Sequence, residues 1–134
     1  MLFSSFTFAN GQVAKNRIFK SAMEEQLAER SQASAKLVRL YDTWAKGGAG
    51  ILVTGNVMVA MNGKGSIDDV VLSDEESLPM LRHWAEAGTQ DGALLIMQIN
   101  HAGKQSPKVL SPVPLAPSNV PLSGMESFIN PPRT

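Results

Sequence analysis

The sequence predicts an α/β protein whose strands run parallel and are joined by right-handed crossovers. Three observations carry this. Three apolar stretches, 18–23, 50–54 and 94–98, each break into glycine or polar residues at their C-terminal ends. Two segments of helical periodicity fall between them, around Leu37 to Trp44 and Leu78 to Trp84. Strand and helix therefore alternate along the chain.

The chain centres on Leu94-Leu95-Ile96-Met97-Gln98-Ile99-Asn100-His101-Ala102-Gly103-Lys104. It opens as an apolar run, as a buried parallel strand does, and then turns polar. In α/β folds the chemistry gathers at the C-terminal ends of such strands. Gln98, Asn100, His101 and Lys104 stand at that end.

The elements follow in order. Phe6-Thr7-Phe8 alternates, and Asn10-Gly11 offers the positive φ angles of a type I′ turn, so a β-hairpin over 6–13 is predicted. Residues 18–23 form a short strand and 24–33 a polar loop. From Ser34, Leu37, Leu40, Tyr41 and Trp44 fall at i, i+3, i+4 and i+7 of one helix face. That stripe reads as packing, not as a cofactor box. Gly47-Gly48 ends the helix. Residues 50–54 form a strand buried on both faces, broken by Gly55-Asn56 and followed by a loop over 57–66. Ser73-Asp74-Glu75-Glu76 is a capping box, in which hydroxyl and carboxylate satisfy the orphan backbone donors of a new helix. Leu78, Leu81, Trp84 and Ala85 form its apolar stripe, Pro79 is tolerated near its start, and 88–92 ends it. Residues 94–98 are the third strand. Pro107, Pro112, Pro114, Pro117, Pro121, Pro131 and Pro132 make 105–134 an extended loop within one domain spanning 1–134.

Composition narrows the function classes. Twelve basic residues balance twelve acidic ones, so no basic field points to nucleic acid. No apolar run approaches the roughly 18 residues of a membrane span. Cysteine is absent, which excludes disulfides and thiolate metal sites within the sequence. Residues 1–17 lack the charged and apolar regions of a leader, and a cytoplasmic protein is expected. Gly47-Gly48-Ala49-Gly50 precedes a strand, whereas a dinucleotide fingerprint follows one. Asn62-Gly63-Lys64-Gly65-Ser66 lacks the first glycine of a phosphate loop, with Met58 in its place. The two histidines supply too few ligands for a metal: His83 reads as an exposed helix residue, and His101 follows a strand end. Ser21 and Ser106 lack a nucleophile-elbow motif.

Several short motifs, taken together and in order, resemble the N-terminal part of the old yellow enzyme family of NADH:flavin oxidoreductases. They are Leu2-Phe3 with Lys15-Asn16-Arg17-Ile18, then Lys20-Ser21-Ala22-Met23, then Gly47-Gly48-Ala49-Gly50-Ile51. Gln98-Ile99-Asn100-His101-Ala102-Gly103-Lys104 and Ala116-Pro117-Ser118 complete the set. The resemblance implies the N-terminal portion of a TIM (β/α)8 barrel, about three βα units behind a hairpin that closes the barrel bottom. It implies FMN as cofactor, NAD(P)H as reductant and a small-molecule acceptor such as an activated alkene. Ser21, Ala22 and Met23 would line the isoalloxazine, partly through backbone groups. Asn56 would meet the ring from the second strand, and Gln98 would hydrogen-bond its pyrimidine edge. Two positions depart from the family pattern. Glu24 stands where many relatives carry a small hydroxyl or thiol, and Gln26 stands near a substrate-facing tyrosine of some relatives.

A barrel of this kind typically needs ~250 residues, and 134 supply about three of its eight strands. The resemblance implies that the substrate-binding His/Asn or His/His pair comes after the fourth strand and the phosphate-binding residues from strands seven and eight. The expectation is a truncated reading frame, a split-gene half or a fragment, inactive until another chain or segment supplies the rest of the barrel. The alternatives are a non-catalytic interaction module that docks by strand addition, or a degenerate product.

Overall fold

The computed structural model describes residues 1–72 and 75–134. A two-stranded antiparallel hairpin comes first. Strands β1 (Phe6–Thr7) and β2 (Val13–Ala14) pair Phe6 with Ala14 and Thr7 with Val13. The turn differs from the expected type I′. Within it only Gly11 has positive φ, 85°, and its N–H donates to the Phe8 carbonyl at 2.9 Å. That is a type I turn closed by a glycine bulge, the three-residue solution to the same reversal.

The main sheet is parallel. Strand β3 (Phe19–Lys20) pairs with Ile51 and Leu52 of β4 (Ile51–Met58). Farther along, β5 (Val70–Val71) pairs with Val57 and Met58. Strand β6 (Leu94–Asn100) pairs with β4 along its length, so β3 and β5 share the opposite edge. Helix α1 (Ala35–Lys46) links β3 to β4, and α2 (Leu78–Gly88) leads to β6. Among the described residues no α-helix follows β6, and along the main sheet α1 comes after β3, α2 after β4 and the short β5, and then β6.

Helix α1 starts where Ser34 accepts the Leu37 N–H on its hydroxyl, and Gly47 closes its last turn. Its buried stripe is Leu37, Tyr41 and Ala45. It meets Leu81 and Trp84 of α2 over Leu52, Val57 and Val70 of the sheet, and these residues form the core. Tyr41 packs edge-to-face against both Trp44 and Trp84, with ring centroids 5.0 and 5.2 Å away. In α2 the stripe runs through Ala87 and Gly88 rather than Ala85, which is exposed. Ser73 and Asp74 of the expected capping box lie outside the described residues. Residues Glu75–Ser77 form a 3-10 turn that leads straight into α2, with Pro79 in its first turn.

Strand β4 corrects one expectation. Gly55-Asn56 does not break it, and Val57 and Met58 are buried strand residues rather than loop. The strand continues because it carries a bulge. Register moves from Val53 opposite Ile96 to Asn56 opposite Gln98, so one extra residue is absorbed in β4. The Thr54 hydroxyl fills the gap: it accepts the Gln98 N–H at 2.9 Å and donates to the Gly55 carbonyl at 2.8 Å.

After Gln105 the proline-rich segment holds no helix or strand, but it folds back on itself. Arg133 donates its N–H to Pro114 and accepts that of Ala116, both at 2.9 Å. Ser106 and Pro114 are fully buried.

Candidate functional site at the strand ends

Sheet geometry decides which side chains share a face. Leu52 and Val57 point into the helix-covered core. Their neighbours Val53 and Asn56 therefore lie on the other face, together with their partners Ile96 and Gln98 on β6. Two residues singled out from sequence, Asn56 and Gln98, thus stand directly opposite each other just beyond the bulge. Both are half-buried.

A chain of hydrogen bonds crosses these strand ends. Asn56 Nδ2 donates to Glu24 Oε1 at 2.8 Å. Asn100 Nδ2 donates to Asn56 Oδ1 at 2.8 Å, and the His101 N–H donates to Asn100 Oδ1 at 2.7 Å. Gly103 then donates its N–H to His101 Nδ1 at 3.0 Å. This bond explains the His-x-Gly spacing of the signature: the chain must double back at once, and Gly103 does so with φ of 57°. An accepting Nδ1 places the proton of a neutral imidazole on Nε2. The ring lies against Gly63, where a Cβ would overlap it. His101 thereby fastens the Met61–Gly63 turn to the end of β6, aided by the Ala102 N–H bond to the Gly63 carbonyl at 2.8 Å. Lys104 lies half-buried in the 3-10 turn Gly103–Gln105. His83 is exposed on α2, as its position predicts. No cluster of metal-ligating side chains occurs among the described residues.

Ser21, Ala22 and Met23 follow β3 as an exposed, irregular ledge. Strand β3 is shorter than the predicted 18–23 because pairing with β4 ends at Lys20. Glu24 is also exposed, its carboxylate turned to Asn56. The Gln98 carboxamide makes no hydrogen bond among the described residues, whereas both ends of the Asn56 carboxamide are engaged.

Beneath the ledge lies a buried polar group that sequence reading missed. Lys20 Nζ donates to Glu25 Oε1 at 3.1 Å, the Val53 carbonyl at 2.9 Å and the Tyr41 hydroxyl at 3.3 Å. The Tyr41 hydroxyl donates to Glu25 Oε1 at 2.7 Å and accepts the Gly55 N–H at 3.2 Å. The ammonium also sits 4.2 Å from the Trp44 ring centroid. Burial first, then the hydrogen bond and negative charge of Glu25, push the Tyr41 phenol far above its ordinary range. The available signal was Lys20 itself, a cation at a strand position that faces α1. Such a charge needs a partner within reach.

The sequence model of the NADH:flavin oxidoreductase / NADH oxidase family matches residues 1–127. A relative named NADH-dependent flavin oxidoreductase nadA, from Aspergillus parasiticus, is 34% identical over 130 residues, covering 87% of this chain and 29% of the relative. An NADH oxidase from Thermoanaerobacter brockii is 36% identical over 126 residues, covering 91% of this chain and 19% of the relative. The solved structure of the old yellow enzyme homologue from Zymomonas mobilis superposes with a TM-score of 0.77 at 21% identity, over 98% of this chain and 38% of that one. The fold is accordingly part of an old yellow enzyme barrel, and the chain spans less than a third of the curated relatives cited. With its profile match running almost end to end, the chain belongs to the NADH:flavin oxidoreductase / NADH oxidase family.

Proposed function

We propose that this chain forms the N-terminal part of an FMN-dependent oxidoreductase that passes hydride from NAD(P)H to an activated alkene or similar small-molecule acceptor. The observation that carries the reading is the pairing of Asn56 with Gln98 beside the exposed ledge of Ser21, Ala22 and Met23. A flavin fits these residues. The free Gln98 carboxamide offers a donor and an acceptor together, as a pyrimidine edge requires. Met23 presents apolar surface, half of it exposed. Asn56, held by Glu24 and Asn100, keeps the neighbouring strand end in place.

FMN, when bound, supplies the two-electron hydride chemistry. The residues of this chain bind and orient it. Ser21, Ala22 and Met23 form the shelf, Gln98 fixes rotation in the plane, and the bulge at Thr54 aligns Gln98 with Asn56. None of these residues is assigned a proton-transfer step. The acceptor-binding residues belong to strands beyond β6, supplied by the same polypeptide or by a partner chain. Residues 1–134 alone therefore neither hold FMN tightly nor oxidise NADH.

An FMN titration, followed by flavin fluorescence, tests the reading on residues 1–134 alone and on the same residues together with the segment or chain that supplies the remaining strands. Tight binding is expected only when those strands are present, and Gln98→Leu should then weaken it about tenfold, the equivalent of one to two hydrogen bonds. Micromolar binding with saturable NADH oxidation by residues 1–134 would overturn the assignment of the chain as an incomplete part. Unchanged affinity in Gln98→Leu would remove Gln98 from the site.

A further inference from the structure

We propose that the buried Lys20–Glu25 ion pair is a clasp that sets the geometry of the ledge, with Glu25 a positioning residue for the flavin site. The pair brackets Ser21, Ala22, Met23 and Glu24, closing a four-residue loop at its two ends. Only 15% of the Lys20 side chain and 6% of the Glu25 side chain are exposed. The clasp is tied to β4 in three ways. Lys20 donates to the Val53 carbonyl, Tyr41 accepts the Gly55 N–H, and the second Glu25 oxygen rests where a Gly55 Cβ would stand. The Met23 carbonyl occupies the same space, so Gly55 lets the ledge approach the strand.

Stability does not account for such a group. A buried ion pair costs desolvation that well-packed apolar side chains avoid, and replacing one by them is often neutral or stabilising. What the pair adds here is direction. Both charged ends are held by hydrogen bonds of fixed geometry, and the Trp44 ring floors the ammonium. The ledge is thus held to the same strand that carries Asn56. Glu24, the last ledge residue, completes the connection through its bond to Asn56.

Resting on the flavin reading above, the proposal is tested on the native-length protein with Glu25→Gln. Two quantities are measured: the FMN dissociation constant, with the visible absorption band of bound flavin, and the melting temperature of the apoprotein. Displacement of a supporting group costs on the order of 10- to 100-fold. The expected result is a loss of FMN affinity of that size and a shifted absorption band, at a temperature where the apoprotein remains folded. Should Glu25→Gln not fold, Glu25→Asp, which keeps the charge and shortens its reach, takes the same two readouts with the same expectation. A lowered melting temperature with unchanged affinity and spectrum would overturn the clasp and leave a structural pair. Wild-type protein that binds no FMN would overturn the functional reading instead, before any variant is compared.

Discussion

Asn56 and Gln98 meet across β4 and β6 because Thr54 lets one strand carry an extra residue. Without the bulge, the side-chain alternation of β4 would turn Asn56 toward the helices, since a one-residue slip exchanges the faces of a strand. The Thr54 hydroxyl is 1% exposed as part of its residue, and it accepts the N–H of Gln98 itself. Thr54→Val keeps the shape and leaves that N–H without its partner. It should destabilise the native-length protein by about 1–3 kcal/mol. Thr54→Ser keeps the hydroxyl, loses one methyl group and should cost about 1 kcal/mol. Urea denaturation of the two variants checks the order. A valine variant as stable as the serine variant would show that the bulge does not depend on this bond.

Much of the fold was legible because its signals are local. The stripe of Leu37, Tyr41 and Trp44 and the Gly47 stop define α1 to within a residue or two. The apolar runs located β4 and β6. What escaped depends on residues distant in sequence. Gly55 looks like a breaker until Met23 and Glu25 are seen to occupy the space beside it. Strand β5 is two valines whose pairing exists only because Val57 and Met58 continue β4. The place of Gln98 near the end of β6 could be read from the apolar run itself. The bond from Asn56 to Glu24, 32 positions earlier, could not. Nor could the convergence of Lys20, Glu25 and Tyr41, which needs β3, the loop and α1 in place together.

The buried phenol makes stability depend on alkaline pH in a definite direction. Burial and Glu25 raise the Tyr41 pKa in the folded state above the value of about 10 expected when unfolded. Below about pH 10 the residue is protonated in both states, and its contribution is complete. Above that, the unfolded chain loses the proton while the folded chain retains it. The unfolded state then binds fewer protons, so stability falls as pH rises. Tyr41→Phe removes this dependence. The advantage of wild type over Tyr41→Phe should therefore be constant through neutral pH and shrink above about pH 10. Urea midpoints of both proteins across that range give the answer, and an advantage that holds or grows would contradict the assignment.

Glu24 offers a test of the flavin reading through charge alone. Its carboxylate lies on Asn56 at the edge of the ledge. A negative charge near the ring opposes the negative charge that reduction adds, so Glu24 should hold the two-electron potential down. Glu24→Gln keeps an oxygen for the Asn56 Nδ2 and removes the charge. A solvent-exposed charge a few ångströms away contributes at most about 1 kcal/mol, which corresponds to roughly 20 mV for a two-electron couple. Potentiometric titration of the FMN-loaded, native-length protein should therefore show Glu24→Gln shifted upward by that order. Asn56→Ala provides the complementary control, since it deletes the partner and leaves the carboxylate charged. An unchanged or lower potential in Glu24→Gln would place the ring away from Asn56, and with it the ledge as its shelf.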